Sequence, residues 1–210
     1  PELYKEFNAD TLLLNPPFTF KENGLPFLKF GLENMKIGGK AAIIIQDSAG
    51  SGRGVTSCKA ILSQNQLLAS IKMPVDLFLP MAGVQTSIYI VEHTGKEHDY
   101  KKQVKFIDFR NDGYKRTKRG IYEIDNPSQK YRDIVEIYKN GITANVSPEL
   151  WDVKNQVVMD VISKDGNDWN FEHHQKIDSV PSEEDFKKTV RDYLSWEITK
   201  ILKGEQQSEL

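Results

Sequence analysis

The chain has 210 residues, 39% of them hydrophobic and 28% charged, with a formal net charge of −2. That length suits one domain or a domain with an appendage, and the slight negative balance excludes a bulk polyanion binder. A single cysteine, Cys58, excludes a disulfide framework and makes a reducing cytoplasm the expected location; no run has transmembrane length and no signal-peptide pattern opens the chain, so no membrane partner is expected.

The first predicted element is a buried strand over residues 11–15, built on the apolar run Thr11-Leu12-Leu13-Leu14. Pro16 and Pro17 stop it, so Asn15 stands at its C-terminal end on a stiff turn. In open α/β sheets that edge is where ligands bind. Asn15 offers a side-chain acceptor, the Pro16 carbonyl a second, and Phe18 a flat apolar face. Two acceptors and a ring suit a planar group bearing an NH₂, such as adenine. An exocyclic amine is a poor nucleophile because its lone pair is delocalised into the ring. Two acceptors on its hydrogens draw the nitrogen toward a tetrahedral shape, as dipoles preset where positive charge grows. Stacking on Phe18 would hold a base swung out of the duplex, at about 1–3 kcal/mol per stacked base. Pro17 completes the base-binding set. The plain reading of the same four letters is a Pro-Pro turn with an Asn cap.

Residues 26–36 predict a helix, with Pro26 in its first turn and Gly38-Gly39 past its end. Residues 41–46 predict a second buried strand. The cluster Gly50-Ser51-Gly52-Arg53-Gly54 follows it; no acidic strand end comes after, so a mobile loop is expected here rather than an anion site. A short helix over 57–64 carries Cys58 as a packing residue, and strands follow over 67–73 and 86–92. Their connection is short and lacks a helical pattern, so these two strands should be antiparallel. Residues 104–109 predict a fifth strand.

Lys101, Lys102, Lys105, Arg110, Lys115, Arg116, Lys118 and Arg119 then outnumber Asp108 and Asp112 within one stretch. This is a solvated basic loop or a contact surface, either for DNA phosphates or for acidic groups of a partner subunit. The phosphate candidates are Lys105, Arg110, Lys115, Arg116, Lys118 and Arg119. A helix over 128–139 should bury Tyr131, Ile134, Val135 and Tyr138. Residues 151–174 are polar, and their adjacent His173 and His174 diverge too far to share one metal; exposed or partner-facing histidines are expected, with His93 and His98 equally ordinary and no metal site. Pro181 and Ser182 open a last helix, Ser182 and Asp185 stand at capping-box spacing, and Phe186, Val190, Tyr193, Leu194, Ile198, Ile201 and Leu202 form an apolar stripe. That stripe packs on its own domain or receives a partner. Residues 205–210 should fray.

Asn15-Pro16-Pro17-Phe18 resembles the catalytic motif of the amino-methyltransferases. With Gly38-Gly39-Lys40-Ala41-Ala42-Ile43-Ile44-Ile45, Ile71-Lys72-Met73-Pro74, Leu77-Phe78-Leu79-Pro80 and Gly83-Val84-Gln85-Thr86-Ser87-Ile88-Tyr89-Ile90-Val91, residues 8–142 resemble the methyltransferase subunit of type I restriction–modification systems, in its C-terminal part. The resemblance implies a mixed α/β fold: a partial Rossmann-like class I methyltransferase sheet with an antiparallel pair at its end, over residues 1–142, and a helical appendage over 143–210 that contacts other subunits. It implies an adenine-specific DNA methyltransferase in which Asn15 and Pro16 orient the amine and Phe18 stacks the base. S-adenosyl-L-methionine is the implied methyl donor, and DNA, a DNA-specificity subunit and a restriction subunit are the implied partners. The glycine-rich loop for that donor normally lies upstream of the motif, and only fourteen residues precede Asn15. The cofactor-binding half is therefore expected outside this chain, leaving the piece inactive alone and the strand of Leu12, Leu13 and Leu14 as an exposed edge prone to self-association. Two rivals share a similar tetrapeptide: RNA guanine-N2 and protein glutamine methyltransferases. A non-catalytic assembly or DNA-binding module is the remaining alternative.

Overall fold

The computed structural model describes residues 8–18, 24–176 and 182–202. They divide into two compact units, residues 1–175 and 176–210. The expected boundary at 142/143 is too early. Residues 157–160 form a sheet strand, and Trp169 and Phe171 lie fully buried in the core of the first unit.

The first unit opens with β1 (Ala9–Leu14), α1 (Leu25–Glu33) and β2 (Met35–Gln46). The helix ends earlier than its sequence suggests. Asn34 closes it, its side-chain amide donating to the Phe30 carbonyl at 2.8 Å, and Met35 already pairs with Ala9 as a strand residue. Two 3₁₀ turns (Asp47–Gly50 and Gly52–Gly54) lead into α2 (Val55–Leu62), then β3 (Asn65–Lys72), β4 (Thr86–His93) and β5 (Val104–Asp108). A hairpin of β6 (Tyr114–Thr117) and β7 (Gly120–Glu123), helix α3 (Pro127–Asn140), the single turn α4 (Val153–Gln156) and β8 (Val157–Asp160) complete the unit.

Among the described residues one six-stranded sheet runs β1-β2-β4-β3-β5-β8. β1, β2, β3 and β5 are mutually parallel, while β4 and β8 run against them. The expected antiparallel pairing of β3 and β4 is present, but not at the end of the sheet. β4 inserts between β2 and β3 because its Ile88, Tyr89, Ile90 and Val91 alternate faces and bury both ways, as a central strand must.

That alternation builds two cores. Ile43, Ile45, Tyr89, Val91 and Phe106 point to one face, under Leu25, Leu28 and Leu32 of α1, Cys58 and Ile61 of α2, and Trp169 and Phe171. Ile71, Ile107 and Phe109 point to the other, under Ile137 of α3 and Trp151. The second core does not extend beneath β1. Leu12 and Leu14 pack on the first, whereas Leu13 is 77% exposed, so β1 is not the fully buried strand its apolar run predicts.

Three further expectations are corrected. α3 buries Lys130, Asp133 and Ile137, while Tyr131 and Val135 stay substantially exposed. The polar pair is drawn inward by bonds that apolar periodicity cannot register: Asp133 accepts from Trp151 Nε1 at 3.1 Å, and Lys130 meets Asp125. His93, His98 and His174 are buried; His93 bonds Asn65 at 2.8 Å, and His174 stacks on Phe106 with ring centroids 3.6 Å apart. The glycine cluster at 50–54 is packed at Gly50 and Gly54, while Gly52 stays open. A Cβ on Gly54 would come within 1.9 Å of the Ala49 carbonyl, and one on Gly50 within 2.3 Å of the Tyr89 hydroxyl.

The second unit is helix α5 (Glu183–Leu202). Ser182 caps it as expected: the Asp185 amide donates to Ser182 Oγ at 3.1 Å, and the Ser182 amide donates back to the Asp185 carboxylate at 3.1 Å. The Ser182 hydroxyl, donating to the Asp185 carboxylate at 2.6 Å, and then the Ser182 amide hold that carboxyl below its ordinary range. Phe186, Tyr193, Leu194 and Ile198 are more than half exposed. Pro181, the side chains of Ile201 and Leu202, and residues 205–210 lie outside the described residues. No described helix is long and apolar enough to cross a membrane.

Candidate active site and nucleic-acid face

Because β1, β2, β3 and β5 run parallel, their C-terminal ends share one edge. Asn15 follows β1 there, Asp47 follows β2, Lys72 ends β3 and Asp108 ends β5. Asn15 is exposed and Pro16 is buried beneath it. Pro16 is wedged against Gly24, whose φ of 99° favours glycine and where a Cβ would lie 2.5 Å from the proline ring. The proline is thus locked from below, and its carbonyl is carried on a turn with little freedom.

Phe18 meets Phe78 edge to face, with centroids 4.9 Å apart. Phe78 belongs to the turn after β3, which closes through Leu77 N–H to the Pro74 carbonyl at 3.2 Å and Ala82 N–H to the Phe78 carbonyl at 3.0 Å. Sequence patterns alone do not single out Phe78. Its signal is the isolated aromatic in Leu77-Phe78-Leu79-Pro80, but only the fold brings that loop to Phe18. A recess of about 290 Å³ lies beside Asn15, lined by Leu13, Ala42, Ile44 and Ile88.

The six basic candidates do not form one surface. Arg116 is buried; it pairs with Asp112 and donates its backbone N–H to Asp76 at 2.8 Å, so it anchors the hairpin to the Phe78 loop. Tyr131 donates to the same Asp112 at 2.8 Å, and burial with that bond pushes its phenol up to about 12. Arg116 is therefore unavailable to phosphates: a guanidinium placed beside a fully buried carboxylate is held there by the cost of leaving that charge alone. Arg110 turns onto Asp108, with Nε 2.8 Å from the carboxylate, and remains 46% exposed. Lys105 is half-buried with its ammonium 5.7 Å from the Tyr138 ring centre. Lys115, Lys118 and Arg119 are exposed on β6 and at the hairpin tip.

A second cluster on this edge has no signature in the sequence. Lys72 has a side chain only 8% exposed and pairs with Asp47 at 3.4 Å and with Glu172. Glu172 is 100 residues further along the chain, so no local pattern links them. Among the described residues no group of three or more acidic, histidine or cysteine side chains forms a metal cluster. At the glycine turns Gly50 and Gly54 are closed in by Tyr89, Asn170 and Ala49, and the N–H of the open Gly52 is already donated to Asn167 Oδ1 at 2.6 Å, which does not suit a backbone cradle for an adenosyl group.

A parallel sheet with one inserted antiparallel strand and helices on both faces is the sheet of a class I methyltransferase. Solved structures with this fold include a type I restriction–modification methyltransferase subunit from Streptococcus thermophilus, 19% identical with a TM-score of 0.58 over 81% of this chain and 39% of that one. A modification subunit of a putative type I restriction enzyme from Vibrio vulnificus is 14% identical, with a TM-score of 0.54 over 80% and 38% of the two chains. Among curated proteins, the type II restriction enzyme and methyltransferase RM.BcgI of Heyndrickxia coagulans is 26% identical over 208 residues, which are 94% of this chain and 31% of that protein. The chain thus spans under half the length of these relatives. Residues 14–200 match the N-6 DNA methylase family, and the chain belongs to that family.

Proposed function

We propose that this chain is the target-base half of a site-specific adenine-N6 DNA methyltransferase of a restriction–modification system. The observation that carries the reading is the position of Asn15 and Pro16: two acceptors on a locked turn at the ligand-binding edge of the sheet, next to an aromatic pair. Asn15 Oδ1 and the Pro16 carbonyl accept the two hydrogens of the adenine amine and aim its lone pair away from the ring. Phe18, backed by Phe78, stacks a base turned out of the duplex. Pro17 limits how far the turn can relax. S-adenosyl-L-methionine, when bound, supplies an electrophilic methyl group. The residues present do not fit a cradle for it, so binding of the donor is assigned to other parts of the assembly.

Lys115, Lys118 and Arg119 are the phosphate contacts of this reading, with Arg110 available if it releases Asp108. The relatives are proteins of restriction–modification systems, which supports DNA, a DNA-specificity subunit and a restriction subunit as partners in the cytoplasm. The exposed stripe of α5 favours an assembly role for the second unit. The test is Asn15→Ala in the native assembly. Losing one preset dipole should slow methyl transfer by about 100-fold or more, by analogy with oxyanion-hole donors, and leave DNA affinity nearly unchanged. Transfer within roughly threefold of the unmodified protein would remove Asn15 from the mechanism.

A further inference from the structure

We propose that Lys72 is a second binding point for a DNA backbone phosphate, held in reserve by Glu172. The proposal rests on the DNA reading above and adds a site on the same sheet edge.

The two carboxylates that neutralise Lys72 are not equivalent. Asp47 is fixed: Ser87 Oγ donates to its carboxylate at 2.5 Å, and the Tyr89 hydroxyl and Asn170 amide donate to its backbone carbonyl at 3.0 and 2.6 Å. Its side chain is 15% exposed. Glu172 is carried on a single 3₁₀ turn, Phe171–His173, and its side chain is 45% exposed. Glu172 is the more exposed of the two carboxylates and sits on a longer side chain, so it is the one that can turn to solvent while Asp47 stays on the ammonium. Asp47 stabilises the buried ammonium permanently; Glu172 is the exchangeable anion.

The space needed for exchange is present. A cavity of about 460 Å³ opens over the pair, lined by Gln46, Ser51, Lys72, Gln85, Asn170 and Glu172. Ser48, Ser51 and His173 also line it, beside Asp47 and Val84; the Gln85 and Asn170 amides already donate to the Met73, Thr86 and Asp47 carbonyls, so the Lys72 ammonium is the group that would hold a phosphate oxygen there. Its place in the sheet also suits the backbone of a bound duplex. β1 and β3 are separated by β2 and β4, so Lys72 lies roughly 14 Å across the edge from Asn15 at about 4.8 Å per strand. Each strand of a duplex presents about one phosphate per 3.4 Å of its axis, so several lie within that distance. A phosphodiester oxygen takes the place of the Glu172 carboxylate, Glu172 turns to solvent, and no covalent bond changes.

Fluorescence anisotropy with a labelled duplex across a KCl series tests this on the full chain. Glu172→Gln should tighten binding roughly eightfold at about 0.1 M salt and steepen the slope of log affinity against log salt by about 0.9, as one more neutralised phosphate requires. In a Lys72→Met background the same change should gain nothing. If Lys72→Met does not fold by circular dichroism, the salt slope of Glu172→Gln alone decides. An unchanged slope, or an equal gain in both backgrounds, means that Glu172 acts only as a diffuse negative charge, and the site is overturned. If neither the unmodified chain nor any variant binds duplex, the DNA reading falls together with the site; if the unmodified chain binds and Glu172→Gln matches it, only the site falls.

Discussion

At the scale of single residues, polar side chains in apolar surroundings distinguish this chain most. His98 is 3% exposed and accepts the Leu67 N–H on Nδ1 at 3.3 Å, which leaves the proton on Nε2. Burial lowers its pKa from 6.5 to about 4. The folded state therefore binds this proton less readily than the unfolded chain. Its contribution to stability is complete above pH 6.5 and is lost as pH falls from there to about 4. Replacing His98 with Gln keeps an acceptor for Leu67 and removes the titration. We expect the drop in urea midpoint across that window to be smaller in His98→Gln than in the unmodified chain; parallel pH profiles would show that His98 does not titrate there. The place of Asn15-Pro16-Pro17-Phe18 just after a strand was legible in the sequence because proline and strand-end chemistry are local. Lys72 with Glu172, and Phe18 with Phe78, were not, because each pair is joined only by the folded chain.

At the scale of elements, local pattern located every strand of the central sheet but β8. It misjudged the helix faces, because buried ion pairs and amide bonds turned Lys130 and Asp133 inward against their polarity. The basic stretch read as a loop is a hairpin, pinned to the Phe78 loop by Arg116 and Asp76. Pinning matters for the proposed DNA interface, because charges on a fixed element lose less freedom on binding. Changing Lys115, Lys118 and Arg119 together to Ala should weaken duplex binding for every sequence and lower the salt slope by about 0.9 for each phosphate that is no longer neutralised. An unaltered slope in the salt titration would assign these side chains to solvent or to a protein partner. Arg116→Ala, in contrast, should destabilise the fold by about 3–5 kcal/mol in urea melts, since it leaves Asp112 buried and alone.

At the scale of the molecule, the sheet ends on β1 among the described residues, and an apolar recess of about 780 Å³ lies between β1 and α1, lined by Leu12, Leu14, Phe27, Phe30 and Met35. An edge strand with leucine on both faces pairs readily with another chain. α5 presents a second apolar surface. Sedimentation of the isolated chain separates their roles. We expect Leu13→Lys to reduce self-association, and ending the chain after residue 182 to leave the first unit folded while it loses association through α5. Equal association by all three proteins would assign neither surface. The division at 175/176 was not legible in the sequence: residues 143–175 look polar, yet Trp151, Ile162, Trp169 and Phe171 return them to the core one residue at a time.

The central claim is that this edge presents an adenine amine for methylation. Mass spectrometry of nucleosides from DNA treated with the native assembly tests it most directly. N6-methyldeoxyadenosine should form with the unmodified chain and fall by about two orders of magnitude with Asn15→Ala. Methylation confined to guanine in RNA or to glutamine in protein, or adenine methylation undiminished by Asn15→Ala, would contradict it.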